Sequence, residues 1–570
     1  MTATPPDIDH VLIDRILVTL TAGAARHASR DAAARGRLAR ECAVGVARVA
    51  DAWVTAAVAG KRGAASAVAE ETATGPLVTL RLLLITARAL ADIARDGLPQ
   101  LARPPRLIHS AAGGAARIAV DLLPATALHD SMIFSGHRAM VRCVDPGGID
   151  AFVRGWRREA DERPRSGGVA CVLGAGNVTG LSAADALSQI FEYGRAVLLK
   201  LHPLHATLQP LLLEAFAPLV EAGLLAVIVG GPEVARKAVA SPLVTHVHLT
   251  GGQAAFDAVV WGGRDPHAPG ASPVLEKPIT CELGNVSPWI VVPGRYTPAE
   301  LASQADLVAA SIVNNTSFNC IATKIVVTCR GWPQRDEFLA RIGRRLESLP
   351  ARPAWYPGAV VAWETITGRR APDDGSLPWV FRTALDPVRD REWIAREWFV
   401  PVAVETAVDA DDIESFCIRA GGLVRGLPGS LAASVTAPTL PASDRERVEL
   451  LVEHLEHGVV AVNTWSALAY SLASVPWGGF PGSTLASPRS GIGRVHDPLL
   501  LPLVHNAILR APLAPWPVPP WLPWHPAGGR LARGLVATYA AIARGGQGLG
   551  PLVRMLPDVI RSALRPPPPP

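Results

Sequence analysis

Lysine is scarce in this chain. Of 55 basic residues only five are lysine, at 61, 200, 237, 277 and 324, and the rest are arginine. A coding bias toward Ala, Arg, Gly and Pro accounts for this, and it gives each remaining lysine more interest. Charge of one sign is scarce too. A net charge of +5 on 570 residues argues against a protein built to neutralise phosphates, and no nucleic-acid motif is present. The seven cysteines, Cys42, Cys143, Cys171, Cys281, Cys320, Cys329 and Cys417, are scattered, odd in number and contain no C-x-x-C. A disulfide framework or zinc ribbon is therefore not expected. His202 and His205 lie at i, i+3 without a Glu or Cys cluster, so no metal site is predicted. The start, MTATPPDIDH, lacks a charged region followed by an apolar one. No uncharged apolar run of about 18 residues is evident. A soluble cytoplasmic protein without a transmembrane segment is the expectation.

What is present is a chain with 49% hydrophobic residues, long enough for two to four domains at roughly 100–200 residues each. Residues 1–165 are rich in Ala and Arg at helical spacing. Asp31–Ala59 and Gly75–Asp96 read as helices, and Arg157–Arg165 as a charged surface connection. From 168 to 252 short apolar runs alternate with helical segments. Strands are expected at Gly168–Leu173, Arg195–Leu201, Leu224–Val229 and Val244–Leu249. Helices are expected at Leu181–Tyr193, Thr207–Ala222 and Pro232–Ala240. This is the pattern of a parallel sheet with crossover helices. Ligands bind such sheets beyond the carboxyl ends of the strands. Asn177, Lys200, Gly231 and Thr250–Gly252 all follow strand ends, so one crevice should collect them. A second α/β stretch follows at about 280–465, with strands at Ser287–Val292 and Lys324–Thr328 and helices at Pro298–Asn314 and Gln334–Leu349. After about 510 the chain turns Pro- and Trp-rich (APWPVPPWLPWHPAGG). Two further helical segments follow, Leu531–Arg544 and Leu552–Leu564, and the chain ends in five prolines.

The loop LGAGNVTG at 173–180 is one residue off the G-x-G-x-x-G dinucleotide spacing, and Lys200 stands where an acidic residue would be needed. Three other features make a chemical set. Cys320 lies between a polar cluster and an apolar strand, and a thiol near pKa 8.5 needs dipoles or a base to act as a nucleophile. Glu282 enters an apolar segment, which is costly for a carboxylate without a task. Asn177 offers amide donors in a glycine loop. Nucleophile, base and oxyanion donor are the parts of acyl-thioester chemistry.

With these residues placed, the chain resembles the aldehyde dehydrogenase superfamily. ELGNVSP at 282–288 is similar to E-L-G-G-K-S/T-P, and NNTSFNC at 314–320 to N-x-G-Q-x-C. Asn177 and Lys200 have the family's spacing, and HLTGG at 248–252 resembles F-T-G-S. EWFVPV at 397–402, AVNTW at 461–465, PWGGFPG at 476–482 and SGIGR at 490–494 complete the family order. The resemblance implies an α/β fold with a Rossmann-type cofactor domain, an α/β catalytic domain and a small bridging element. Boundaries are drawn at 1–276 for the N-terminal helices and cofactor domain, and at 277–465 for the catalytic domain. Residues 466–510 form the return and bridging strand, and 511–570 the Pro/Trp-rich extension. Gly136–Cys143 and Leu501–Ala511 are bridging candidates, and a homodimer or homotetramer is implied.

The resemblance also implies residue roles. Cys320 is the nucleophile, Glu282 the base for deacylation and Asn177 the oxyanion donor. Lys200 and Glu397 hold ribose hydroxyls of NAD or NADP, and Phe399 braces the nicotinamide ribose. Gly231, Pro232, Thr250, Gly251 and Gly252 line pyrophosphate and nicotinamide. Several positions depart from the family pattern: Pro203, Ala235, Asn285, Val286, Ser317, Phe318 and Lys324. With Pro203 in place of an acidic residue the choice of NAD or NADP stays open, and His202 and His205 read as solvated. Lys324 reads as structural and Lys277 as a surface residue. The substrate expected is a hydrophobic aldehyde, from the Trp-containing apolar segments at 462–480. The alternatives are a CoA-dependent fatty acyl-CoA reductase-like enzyme, and a catalytically silent scaffold whose tail gives weak membrane association.

Overall fold

The computed structural model describes residues 10–63, 67–109, 114–125 and 129–564. The first nine residues and the five terminal prolines lie outside the described residues. The architecture is mixed α/β with two main sheets, as expected. Its first strands are β1 (Arg106–Ile108), β2 (Arg117–Leu123) and β3 (Arg138–Val144). The cofactor-type region supplies β4 (Val169–Leu173), β5 (Ala196–Leu201), β6 (Leu225–Val229), β7 (His246–Thr250) and β8 (Ile279–Glu282). Then come β9 (Ser287–Val291), β10 (Thr323–Cys329), β11 (Arg352–Pro353), β12 (Ser376–Leu377), β13 (Val380–Leu385) and β14 (Val402–Val408). The last are β15 (Ala432–Thr436), β16 (Val459–Val462), β17 (Gly491–Ile492) and β18 (Val504–Arg510).

Six strands form a sheet in the order β17-β8-β7-β4-β5-β6, parallel except where β17 meets β8. β4 (VACVL) and β5 (AVLLKL) are buried along their whole length, which is why they read as unbroken apolar runs. From β4 the chain winds outward through β5 and β6, then returns to place β7 on the other side of β4. That reversal opens a crevice beyond the carboxyl ends of β4 and β7. β8 carries this sheet to Glu282, beyond the boundary drawn at 276.

Ten strands form the second sheet, in the order β1-β2-β3-β18-β16-β15-β9-β10-β14-β13. The run from β18 to β13 is parallel, and β1, β2 and β3 extend it antiparallel. The two bridging candidates contain β3 and β18, which pair with each other, Ala507 opposite Val141.

Arg157–Arg165 is mostly exposed, as expected, but it is not a plain linker: it is the end of the helix Ile149–Glu162 and the turn after it, where Ala160 and Pro164 are buried and Arg163 pairs with Asp497 at 2.8 Å. Two readings are corrected. The helix expected at Thr207–Ala222 is broken into 203–208, 209–215 and 217–221, with Pro210 and Pro218 each near a helix start, where a missing N–H costs least. Ala32–Gly60, capped by Asp31, is long and apolar enough to cross a membrane, although half of its most apolar stretch is buried inside the protein. Its buried side includes Cys42, Val46, Val49 and Trp53.

The C-terminal segment folds back onto the N-terminal helices as the helices Gly528–Ala543 and Leu549–Leu564. Arg81, in the helix Val78–Asp96, fixes it: Nη1 donates to Tyr539 Oη at 2.7 Å and to Asp130 Oδ1 at 2.8 Å.

Candidate active site

Cys320 lies just before β10, and Glu282 ends β8. Because β17 pairs Gly491 with Glu282, the second sheet's returning chain fixes that backbone. The two side chains meet. Cys320 Sγ donates to Glu282 Oε1 at 3.3 Å, and Trp477 Nε1 donates to Glu282 Oε2 at 2.9 Å. Cys320 is half-buried, whereas the other six cysteines are buried. Burial, then the Glu282 and Glu397 charges, raise the Cys320 thiol well above its ordinary value. Burial, followed by the charge of Asp185, lifts Glu282 to about 8, against hydrogen bonds from Cys320 and Trp477. In the resting site the proton is thus held between a thiol and a weakly acidic carboxyl.

The polypeptide before Cys320 is strained. Asn315, Thr316 and Ser317 have φ of 53°, 57° and 64°. Three consecutive residues with side chains in the left-handed region cost about 1–3 kcal/mol each and persist only when their surroundings hold them. The holding contacts are explicit. Lys61 Nζ donates to Asn315 Oδ1 at 2.8 Å and to Glu71 Oε1 at 2.5 Å. Asn315 N donates to Glu70 Oε2 at 3.2 Å, and Glu70 in turn pairs with Arg352 at 2.9 Å. Asn315 Nδ2 donates to the carbonyls of Asn177 and Phe318, both at 2.9 Å. Lys324 Nζ donates to Ser317 Oγ at 2.8 Å and to Val400 O at 3.0 Å, so its work is structural. Asn177 Nδ2 donates to Phe318 O at 3.2 Å, which occupies one of its two N–H groups.

A cavity of about 1990 Å³ opens beyond the strand ends of the six-stranded sheet. It is bordered by Asn177, Lys200, Gly231, Pro232, Thr250, Gly251, Gly252, Glu282, Cys320, Glu397 and Phe399. The structure therefore brings all eleven sequence-chosen residues to one cavity. The helices Pro232–Ala240 and Gln253–Val260 begin here, at Gly231 and Gly252, with no side-chain cap on either. Their first N–H groups are available to an anion. Lys200 pairs with no carboxylate among the described residues, and burial lowers its pKa. Glu397 Oε1 is a buried oxygen with no hydrogen-bond partner. Its Oε2 lies 1.9 Å from where a Cβ on residue 284 would stand, so only glycine admits it there. Burial raises Glu397 and lowers Lys324, and each opposes the other's shift through its charge. Phe399 packs against Tyr356 at 5.0 Å and Phe318 at 6.1 Å between ring centroids.

Three expectations at the rim are corrected. His205 is buried and His202 half-buried, so neither is solvated. Burial pushes His202 to about 4 and His205 to about 3, helped by the charges of Lys200 and Lys61 respectively. His202 instead accepts from Leu204 N at 3.2 Å and caps the following turn. Lys277 is a part-buried cap on the end of Pro232–Ala240, donating to Val239 O and, at 2.6 Å, to Ser241 O.

Residues 153–362 match the sequence profile of the aldehyde dehydrogenase family. The fold of that family extends over most of the chain. An aldehyde dehydrogenase from Brucella melitensis biovar abortus 2308 superposes with TM-score 0.56 at 17% identity, covering 89% of this chain and 90% of that one. An NAD-dependent aldehyde dehydrogenase from Sinorhizobium meliloti gives TM-score 0.57 at 16%, covering 90% and 89%. A mutant of aldehyde dehydrogenase C from Pseudomonas syringae, in a complex with NAD+ and octanal, gives 0.57 at 17%, covering 89% and 90%. No curated protein matches the sequence. Where this chain departs from the aldehyde dehydrogenase pattern, Phe318 and Asn285 are each held by their surroundings. Phe318 sits edge-on to Trp355 at 5.1 Å. Asn285 Nδ2 donates to Ser287 Oγ at 2.8 Å and Ala432 O at 2.9 Å, while its Oδ1 accepts from Leu431 N.

Sequence reasoning missed several residues of the site. Lys61 and Asn315 lie 254 positions apart, and no local pattern links them. Asp185 carried a signal like that of Glu282, an acid in an apolar helix. It is fully buried, accepts from Thr250 Oγ1 at 2.8 Å and lies near His248 and His496. Burial acts to raise its pKa, but the two histidines overcome that and hold it ionised.

Proposed function

We propose that the protein oxidises a hydrophobic aldehyde to the carboxylic acid with NAD or NADP, through a thioester on Cys320. The observation that carries this reading is the 3.3 Å contact between Cys320 Sγ and Glu282 Oε1 at the border of the strand-end cavity. The residues there fit a dinucleotide. The two uncapped helix starts suit a pyrophosphate, and the Lys200 ammonium and the unpartnered Glu397 oxygen suit ribose hydroxyls. Gly231, Pro232, Thr250, Gly251 and Gly252 form the surrounding wall, and Phe399 braces the nicotinamide end. When bound, the nicotinamide supplies the acceptor for the aldehyde's hydride.

The chain's own groups do the rest. As Sγ adds to the carbonyl carbon, the Cys320 proton passes to Glu282 Oε1. A base whose pKa lies near 8 is matched to that transfer. Negative charge grows on the carbonyl oxygen, and the second N–H of Asn177 and the backbone N–H of Cys320 are its donors. After the thioester forms, Glu282 gives the thiol's proton up to solvent and then takes a proton from the attacking water, and Trp477 keeps the carboxylate aimed. A carboxylate in contact with the sulfur favours water over coenzyme A as the acceptor, since a thiol acceptor needs no such base.

The test is a screen of NAD and NADP against linear aldehydes, with and without coenzyme A. Reduced nicotinamide and free acid in the absence of coenzyme A are expected. Acyl-CoA formed only in its presence would move the protein to the acyl-CoA reductase class. No reduction with any aldehyde would leave a silent scaffold.

A further inference from the structure

Cys320 and Glu282 border a second cavity, of about 330 Å³. Much of its wall comes from the C-terminal extension: Val518, Trp521, Leu535, Leu552, Met555 and Val559 line it. The wall is fixed in place. Besides the Arg81–Tyr539 contact, Trp521 packs on Trp465 at 5.5 Å, and Arg345 lies over Trp524 at 4.6 Å. Trp465 in turn donates to Ile321 O at 2.7 Å, beside the nucleophile. Away from Glu282, the charged groups along the wall, Arg81 and Glu70, are paired with Asp130 and Arg352, and burial lowers the pKa of His137 and His525 there. Among the described residues no unpaired cation there answers a carboxylate-ended substrate. At the outer end Trp516 is 72% exposed and Leu556 39% exposed, so apolar side chains face water where the cavity opens. At the inner end the buried hydroxyl of Tyr470 has no partner, and its ring packs on Trp477 at 5.3 Å.

We propose that the C-terminal extension, residues 515–562, is the wall of a channel that admits a linear aliphatic aldehyde between Trp516 and Leu556 and measures its length against Cys320. The proposal rests on the aldehyde-oxidising reading above and names its substrate class. If each methylene takes roughly the ~30 Å³ of a liquid water molecule, about ten carbons fill the channel. Burying a methylene favours binding by about fourfold.

The test measures kcat/KM for linear aldehydes from propanal to tetradecanal, and calorimetric binding of decan-1-ol, for the full chain and Ala532→Phe. Ala532 is a buried residue of the channel wall on the helix Gly528–Ala543. Expected is a rise of about fourfold per carbon that stops near decanal. In Ala532→Phe the decanal-to-propanal ratio should fall by about tenfold or more, and decan-1-ol binding should disappear. Retained NAD binding by the variant shows that it is folded, and Leu535→Trp repeats the test from another position. A flat chain-length profile, or an unchanged ratio in both folded variants, would overturn the proposal. If no aldehyde is oxidised, the reading under Proposed function fails by itself. Decan-1-ol binding that is present in the native chain and lost in Ala532→Phe still supports the channel, and equal binding by both refutes it.

Discussion

Lys61→Met cuts the link between the N-terminal helices and the catalytic loop. Lys61 has a side chain only 7% exposed, and it holds Glu71 at 2.5 Å and Asn315 at 2.8 Å. Methionine fills a similar volume but leaves both oxygens without that donor. Breaking a buried pair by removing one partner costs about 3–5 kcal/mol. The same contact holds a loop whose three left-handed residues store strain of about 1–3 kcal/mol each. With its anchor gone the loop relaxes and Cys320 shifts against Glu282. A displacement of about 1 Å can cost on the order of 100-fold in rate. Expected are a lowered denaturant midpoint, a kcat reduced by about 10- to 100-fold, and an unchanged NAD dissociation constant, because Lys200, Gly231, Pro232 and Thr250–Gly252 sit at the other sheet's strand ends. Lys61→Met/Glu71→Gln removes the unpaired carboxylate and should regain stability without regaining kcat. A folded Lys61→Met with kcat within about twofold of the native value would refute the reasoning.

The remaining predictions concern the cofactor and the base. Lys200→Ala should raise the cofactor dissociation constant more than the aldehyde KM, and the opposite ranking in steady-state and binding measurements would mean the ribose is placed wrongly. Gly284→Ala pushes a Cβ into Glu397 Oε2 and should also weaken cofactor binding, by calorimetry, because the carboxylate must move. Activity should rise with pH as Glu282 ionises near 8, and Glu282→Gln should lose that limb of the pH–rate profile. Glu282's native pKa is raised above its ordinary 4.5, so the stability it contributes is complete below about 4.5 and is lost as pH rises through about 8. Thermal melts of Glu282→Gln relative to the native protein should therefore improve as pH rises from about 4.5 to about 8 and level off above that, and a constant difference would contradict the shift.

The cofactor side was legible because its signals are local. β4, β5 and β6 are short, largely buried apolar runs, and the rule that ligands gather beyond parallel strand ends places Asn177, Lys200, Gly231 and Thr250 together from the sequence alone. Glu282 was legible because a carboxylate is costly in an apolar segment. Features that depend on distant partners were not. Lys61 looked like one survivor of a coding bias, and its partner Asn315 lies 254 residues on. Arg163, within Arg157–Arg165, looked solvated because its partner, Asp497, comes from far down the chain. The Pro/Trp tail read as an extension with no assigned role beyond weak membrane association. Its meaning lies in Trp521 meeting Trp465 and Tyr539 meeting Arg81, contacts that no spacing within the tail announces.

The central claim is that Cys320 carries the acyl group and Glu282 releases it. Intact-mass measurement of Glu282→Gln, incubated with NAD or NADP and decanal long enough for Cys320 to acylate by losing its proton to solvent, tests it most directly. The account predicts one decanoyl group on the protein, mapped to Cys320 and absent from Cys320→Ala treated in the same way. No adduct on Glu282→Gln while it reduces nicotinamide, or an adduct that survives in Cys320→Ala, would contradict it.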